Sequence, residues 1–244
     1  MLTKHCELCG NSFSCYGDEK TCWCQKMSIN AEKLDMVSNF GIDCFCENCI
    51  TELKNSKLTK GQKVSIVHFD AHTDCYEKLD HFLGAKKSAA HWASYLVKQG
   101  NVDPKTSTQI GIRGNPRTLD WLQASYDIGY QVITMDEYKE FGHEKSSKMI
   151  LDRLDDKPIY VTFDLDCLDV TVAPGTANLE PAFRGFNIDE ARKLIQSLKG
   201  KNVIGGDVAC LMPTKDNPNN ITSMVAASIM FEIICLISFN LNNK

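Results

Sequence analysis

The stretch His68-Phe69-Asp70-Ala71-His72-Thr73-Asp74 places two carboxylates and an imidazole at alternate positions. The run before it, Val64-Ser65-Ile66-Val67, is mainly β-branched and apolar and reads as a buried strand. Residues i, i+2 and i+4 of an extended segment point to one side. Asp70, His72 and Asp74 are therefore expected to converge at the carboxyl end of a strand, where open α/β sheets place their ligands. Such a group strands charge unless something positive sits among it, and a divalent metal answers that need.

A second stretch repeats the logic. Pro158-Ile159-Tyr160-Val161-Thr162-Phe163 reads as another buried strand, and it runs into Asp164-Leu165-Asp166-Cys167-Leu168-Asp169. A lone Asp at such a place would serve as a turn or helix-cap residue. Two strand ends carrying one imidazole and four carboxylates point instead to metal ligands: His72 with Asp70, Asp74, Asp164 and Asp166. Hard oxygen donors with one imidazole suit manganese, with nickel, cobalt, iron and zinc as alternatives. Carboxylates able to bridge suggest a pair of ions, typically about 3.5–4 Å apart. Water between such ions ionises near neutral pH, since metal binding lowers its pKa to about 7, which supplies a strong nucleophile.

These two motifs resemble those of the ureohydrolase (arginase/agmatinase/guanidinobutyrase) superfamily. The resemblance runs from about Gly61 to the C-terminus. It takes in Gln109-Ile110-Gly111-Ile112-Arg113-Gly114, Val132 to Asp136, Ala173-Pro174-Gly175-Thr176, Glu180-Pro181 and Gly206-Asp207-Val208. It implies a metal-dependent hydrolase of a guanidino compound that uses two Mn2+ (or Ni2+) and releases urea and an amine. By the resemblance, Asp70 and Asp164 would bridge both ions, His72 and Asp166 would hold one, and Asp74 the other. Asp74 could also take a proton as the intermediate collapses. Glu180 would pair with the substrate guanidinium, and His91 would shuttle the proton out. His91 could equally be a packing residue of the helix expected over Ser88 to Lys98, and His81 is a lesser candidate for its role. Arg113 is expected to form a surface ion pair. The resemblance also implies a homo-oligomer.

The departures from the family pattern are specific. Relatives carry a further His ligand in a Gly-Gly-x-His turn upstream of the first motif, and no such turn occurs here. His68, on the buried strand, is not expected to replace it. Cys210 stands where the family has Glu, and Asn178-Leu179-Glu180-Pro181-Ala182-Phe183 where it has Thr-Pro-Glu-Pro-Gly-Gly. The first strands of the family sheet are therefore expected to be missing. An alternative reading is a non-catalytic fusion of a cysteine-rich zinc module with a hydrolase remnant.

Positioning these groups requires a scaffold. Strand signals at Ser107–Arg113, Tyr130–Thr134 and Asn202–Ala209 alternate with helical ones at Thr118–Tyr126, Glu144–Asp155 and Ala191–Leu198, the last opened by Asn187-Ile188-Asp189-Glu190. Alternation of this kind predicts an α/β three-layer sandwich with a mostly parallel sheet. The segment Ile221 to Leu241 is interrupted by Thr222, Ser223, Ser228, Glu232 and Ser238, and is expected to be a buried closing helix rather than a membrane span. A net charge of −4 argues against nucleic acid as the main partner.

The first part of the chain differs in kind. Of twelve cysteines, Cys6, Cys9, Cys15, Cys22, Cys24, Cys44, Cys46 and Cys49 all precede residue 50. Clustered thiols fit zinc or an iron–sulfur cluster in a reducing, cytoplasmic setting, and a disulfide-stapled knot in an exported protein. The opening residues Met1 to Cys6 show no apolar signal core, which favours the former. The pattern Cys6-x-x-Cys9…Cys15…Cys22-Trp23-Cys24 resembles the small cysteine-rich CWC family. A basic, polar linker over Glu52 to Gly61 is expected to join residues 1–60 to an α/β domain at 61–244.

Overall fold

The computed structural model describes residues 2–5, 12–15, 62–76, 88–114, 119–180 and 184–242. The chain divides into two compact units, Met1–Lys60 and Gly61–Lys244. In the first, β1 (Leu2–His5) pairs antiparallel with β2 (Ser12–Cys15), Leu2 opposite Cys15 and His5 opposite Ser12. The cysteine set and the linker lie outside the described residues, apart from the backbone of Cys15.

The second unit is built on a five-stranded sheet. Its strands are β3 (Ser65–Phe69), β4 (Thr108–Ile112), β5 (Gln131–Thr134), β6 (Ile159–Asp164) and β7 (Val203–Ala209), in the order β5-β4-β3-β6-β7. Every pairing is parallel. Parallel sheets need both faces covered, and the alternation along β3 provides for that. Ile66 faces one apolar cluster with Ala93, Val102 and Tyr130, beside α1 (Trp92–Lys98) and α2 (Gln123–Ile128). Val67 and Phe69 face the larger cluster, with α3 (Met135–Arg153), α4 (Ile188–Gln196) and α5 (Ile221–Asn242). The result is the expected three-layer arrangement.

Helix starts follow local chemistry. Asn187 and Glu190 form a reciprocal capping box at α4, as its sequence anticipates. Thr134 and Glu137 do the same for α3, which begins nine residues before the helical signal at Glu144. Gly142 explains the difference: its left-handed φ of 76° kinks α3 and breaks the periodicity.

The closing helix departs from expectation. Thr222, Ala226, Ile229, Ile233 and Leu236 form one buried stripe at helical spacing, and α5 packs on β7 and α4 along it. Gly206 permits that approach, since a Cβ there would lie 2.5 Å from the Val161 carbonyl oxygen and 2.8 Å from Ile233. Met224, Phe231, Ile234, Phe239 and Leu241 are exposed on the other sides. The helix is thus half covered rather than buried, because it has the sheet on one side only. By length and composition it is also apolar enough to cross a membrane.

Candidate metal centre

Phe69 and Phe163 are cross-strand partners at the ends of β3 and β6, so Asp70 and Asp164 leave the sheet side by side. Both carboxylates then organise their own turns. Asp164 Oδ1 accepts from the Asp166 N–H at 2.9 Å and opens a single 3-10 turn, Leu165–Cys167. Asp70 Oδ1 accepts from the His72 N–H at 2.6 Å. The Ala71 N–H donates to Asp166 Oδ1 at 3.1 Å, joining the two motifs directly.

The two motifs meet, although not by strand alternation. Regular β3 stops at Phe69, and the chain bends through Ala71 to Asp74, where φ is +50°. Three clusters result, each with its ligand-type atoms within 4.8 Å of one another: Asp70 with His72 and Asp166; His68 with Asp70 and Asp74; Asp164 with Asp166 and Cys210. His72 Nδ1 lies 3.2 Å from Asp70 Oδ1 and 3.1 Å from Asp166 Oδ2, and its Nε2 is 2.6 Å from Glu180 Oε1. Asp70, Asp164 and Asp166 are buried, and the close approach of His72 Nδ1 to Asp166 Oδ2 is an ion-pair contact without hydrogen-bond alignment.

The electrostatics follow from this crowding. Burial alone would raise Asp70, but His68 and His72 hold it well below the usual carboxylate range. Burial, then the charges of Asp70 and Asp166, push Asp164 up to about 9. Burial and Asp70 push Asp74 up to about 7, against His68 and the Trp92 N–H. Burial disfavours a charged His72, yet hydrogen bonds and charge from Asp166 and Asp70 outweigh it and take that imidazole to about 12. Protons on these groups do the neutralising that a cation would do. A buried carboxylate oxygen that no donor meets in hydrogen-bond geometry, amid other carboxylates and imidazole, fits a divalent ion.

Several site residues went unrecognised in the sequence. His68, set aside as a buried strand residue, turns its ring to the site and its Nε2 lies 2.8 Å from Asp70 Oδ2. The Gln109 amide nitrogen, fixed by the Thr73 carbonyl at 2.6 Å, reaches His68 Nδ1 at 3.1 Å. Against the effect of burial, Asp70 raises the His68 pKa, and in the neutral ring facing the Gln109 donor as in the charged one, Nε2 carries a hydrogen directed at Asp70. His68 therefore orients Asp70 and has no lone pair free toward the site. Alternation could have revealed it, since His68 and Asp70 are two apart on one strand. Trp92 gave no signal; its indole N–H donates to Asp74 Oδ2 at 2.6 Å, and its ring meets that of His68 edge-on at 4.8 Å.

Arg113 differs from the surface ion pair expected of it. Its guanidinium donates to the carbonyls of Asp166, Cys167 and Leu168 at 2.8, 3.2 and 3.1 Å, bracing the turn that carries the second Asp pair. His91 lies in the 3-10 turn before α1, its Nδ1 3.2 Å from Ser88 Oγ, and belongs to none of the three clusters. His81 and Pro181 lie outside the described residues.

The Arginase family model matches residues 48–236. The chain belongs to the arginase family. Residues 6–51 match the Cysteine-rich CWC model. An agmatinase of Escherichia coli O7:K1 is 31% identical over 230 residues, covering 93% of this chain and 69% of that protein. Among solved structures, proclavaminate amidino hydrolase from Streptomyces clavuligerus superposes with a TM-score of 0.64 at 29% identity, over 73% of this chain and 56% of that one. A hypothetical agmatinase from Burkholderia thailandensis gives 0.62 at 30% identity, over 75% and 53%. This arginase-family chain thus spans a little over half the length of those two structures.

Proposed function

We propose that the second unit is a metal-dependent hydrolase of a guanidino compound that releases urea and an amine. The observation carrying this reading is the meeting of Asp70, His72, Asp74, Asp164 and Asp166 at two neighbouring strand ends of an arginase-family chain. Asp70 and Asp164 would bridge two ions, preferably manganese or nickel, with His72 and Asp166 completing one position and Asp74 the other. Bound there, the ions supply a nucleophile near neutral pH by lowering the pKa of water to about 7. The rest falls to the chain. Glu180, beside His72, presents a carboxylate whose two oxygens match a guanidinium. Asp74, whose Oδ2 is held by the Trp92 N–H, accepts a proton as the amine departs. His91, next to the Trp92 that holds Asp74, passes it to solvent.

The names of the relatives, agmatinase and an amidino hydrolase, favour agmatine-like and other guanidino substrates. The cysteine-rich segment would bind Zn2+ in a reducing cytoplasm, and the chain would act as a homo-oligomer. The test is urea release from arginine, agmatine, guanidinobutyrate and guanidine with added Mn2+ or Ni2+. Activity on at least one, lost in Asp70→Ala and Asp166→Ala, is the expected result. Two ions bound in the second unit with no urea from any substrate would overturn it.

One observation favours a second reading, a non-catalytic fusion of zinc module and hydrolase remnant. Asp70 engages Nε2 of the extra imidazole at the described site, His68, at 2.8 Å, so that ring does not replace the absent Gly-Gly-x-His ligand. That reading predicts at most one ion in the second unit.

A further inference from the structure

We infer that Cys210 is a ligand to the ion held by Asp164 and Asp166, so that this position is a mixed carboxylate–thiolate site. The inference rests on the metal reading above and extends it to the choice of metal.

Cys210 follows directly on β7, whose last residue, Ala209, is paired with Asp164 across the sheet. Its backbone is held by the loop after the second motif: the Cys210 carbonyl accepts from Ala177 N–H at 3.1 Å, and the Met212 N–H donates to the Gly175 carbonyl at 2.8 Å. Between these anchors Cys210 takes a left-handed φ of 64°. The sulfur is not in a disulfide. A sulfur and a carboxylate oxygen from each of Asp164 and Asp166 lie within 4.8 Å of one another. Donors about 2.0–2.3 Å from a shared ion are at most about 4.5 Å apart, so one ion can reach all three with small adjustments. Independently, Asp166 Oδ2 is buried, and its facing donor, His72 Nδ1 at 3.1 Å, is not aligned to hydrogen-bond it, so the oxygen is left unsatisfied.

A sulfur changes what the site selects. Oxygen donors suit manganese, whereas thiolates favour zinc, cobalt and other softer ions. As the metal–sulfur bond forms, the thiol proton leaves to solvent. The site would then take zinc or cobalt in preference to manganese.

The full chain, stripped and reloaded with Co2+, tests this by near-ultraviolet thiolate-to-cobalt absorption with cobalt content measured on the same sample. The N-terminal cysteines contribute equally to every variant, so the wild-type minus Cys210→Ser difference isolates one thiolate. Cys235→Ser, an exposed cysteine on α5, serves as control. The expected result is a difference band for Cys210→Ser and none for Cys235→Ser, with the Zn2+-over-Mn2+ preference falling tenfold or more. Cys210→Asp, which keeps three donors, should hold cobalt without the band, and it decides the matter if Cys210→Ser does not fold. Identical spectra for all variants, with more cobalt in wild type than in Asp166→Ala, would overturn the thiolate ligand and leave the metal reading standing. Equal cobalt in wild type and Asp166→Ala would overturn both.

Discussion

Gly114 sets how closely the chain passes His72, and adding one methyl group there should disable a metal position without unfolding the protein. A Cβ at Gly114 would lie 2.6 Å from both Cδ2 and Nε2 of His72 and 3.0 Å from the Ala71 carbonyl oxygen. Ordinary contact begins at 3.4 Å, so the ring must retreat by about 0.8 Å. The backbone cannot yield instead, because the Arg113 and Gly114 N–H groups both clasp the Ala71 carbonyl, at 2.9 and 2.7 Å. Metal–ligand distances tolerate about ±0.2 Å, so the displaced imidazole falls outside coordinating range of its present partners. Losing orientation around a ligand typically costs about 10–100-fold in metal affinity, and Gly114→Ala should weaken metal binding at that position by that much. Chelator competition on the full chain measures it, with thermal melting as the folding control and urea release as the functional one. Wild-type affinity and urea release in a folded Gly114→Ala protein would refute the placement of His72 as a ligand.

Other outcomes follow from single contacts. Arg113→Ala removes three N–H donors to carbonyls, each with a net contribution of about 0.5–1.5 kcal/mol, so a loss of about 2 kcal/mol is expected in chemical unfolding. Arg113→Lys should recover little of it, since one ammonium cannot span the three carbonyls. Trp92→Phe deletes the N–H that orients Asp74 Oδ2, so metal affinity in chelator competition should fall by about 10–100-fold while the fold survives. In the metal-free protein Asp164 and Asp74 keep protons that the unfolded chain sheds near pH 4, and His72 keeps one that it sheds near 6.5. The folded state binds the extra protons, so the melting temperature with chelator should fall as pH rises from 5 to 9 and Mn2+ should flatten that slope. A melting temperature that climbs over this range would contradict the crowding of carboxylates.

β3 and β6 were legible because each is a short, largely apolar run, the signature of a buried parallel strand. The two aspartate pairs were legible because their spacing is repeated. Their joining was not: the His72 N–H to Asp70 bond is local, but the Ala71 N–H to Asp166 bond that ties the bend to the second motif forms only once β3 and β6 lie side by side. Trp92, Gln109 and Arg113 escaped for a related reason. Each acts on a residue 18 to 55 positions away, and no local pattern encodes such a contact. The half-covered α5 was misjudged because an apolar run with a few polar interruptions does not say how many sides of a helix have a neighbour.

The pairing of Phe69 with Phe163 makes the sheet a ruler for the chemistry beyond it. One residue inserted within β3 or β6 would slide one aspartate pair past the other by about 3.3 Å and turn its side chains to the opposite face. The connections between strands are free of that constraint. Lineages of this chain can therefore lengthen, shorten or rewrite their loops, and so change what is admitted to the centre, while the interior of these two strands stays fixed in length.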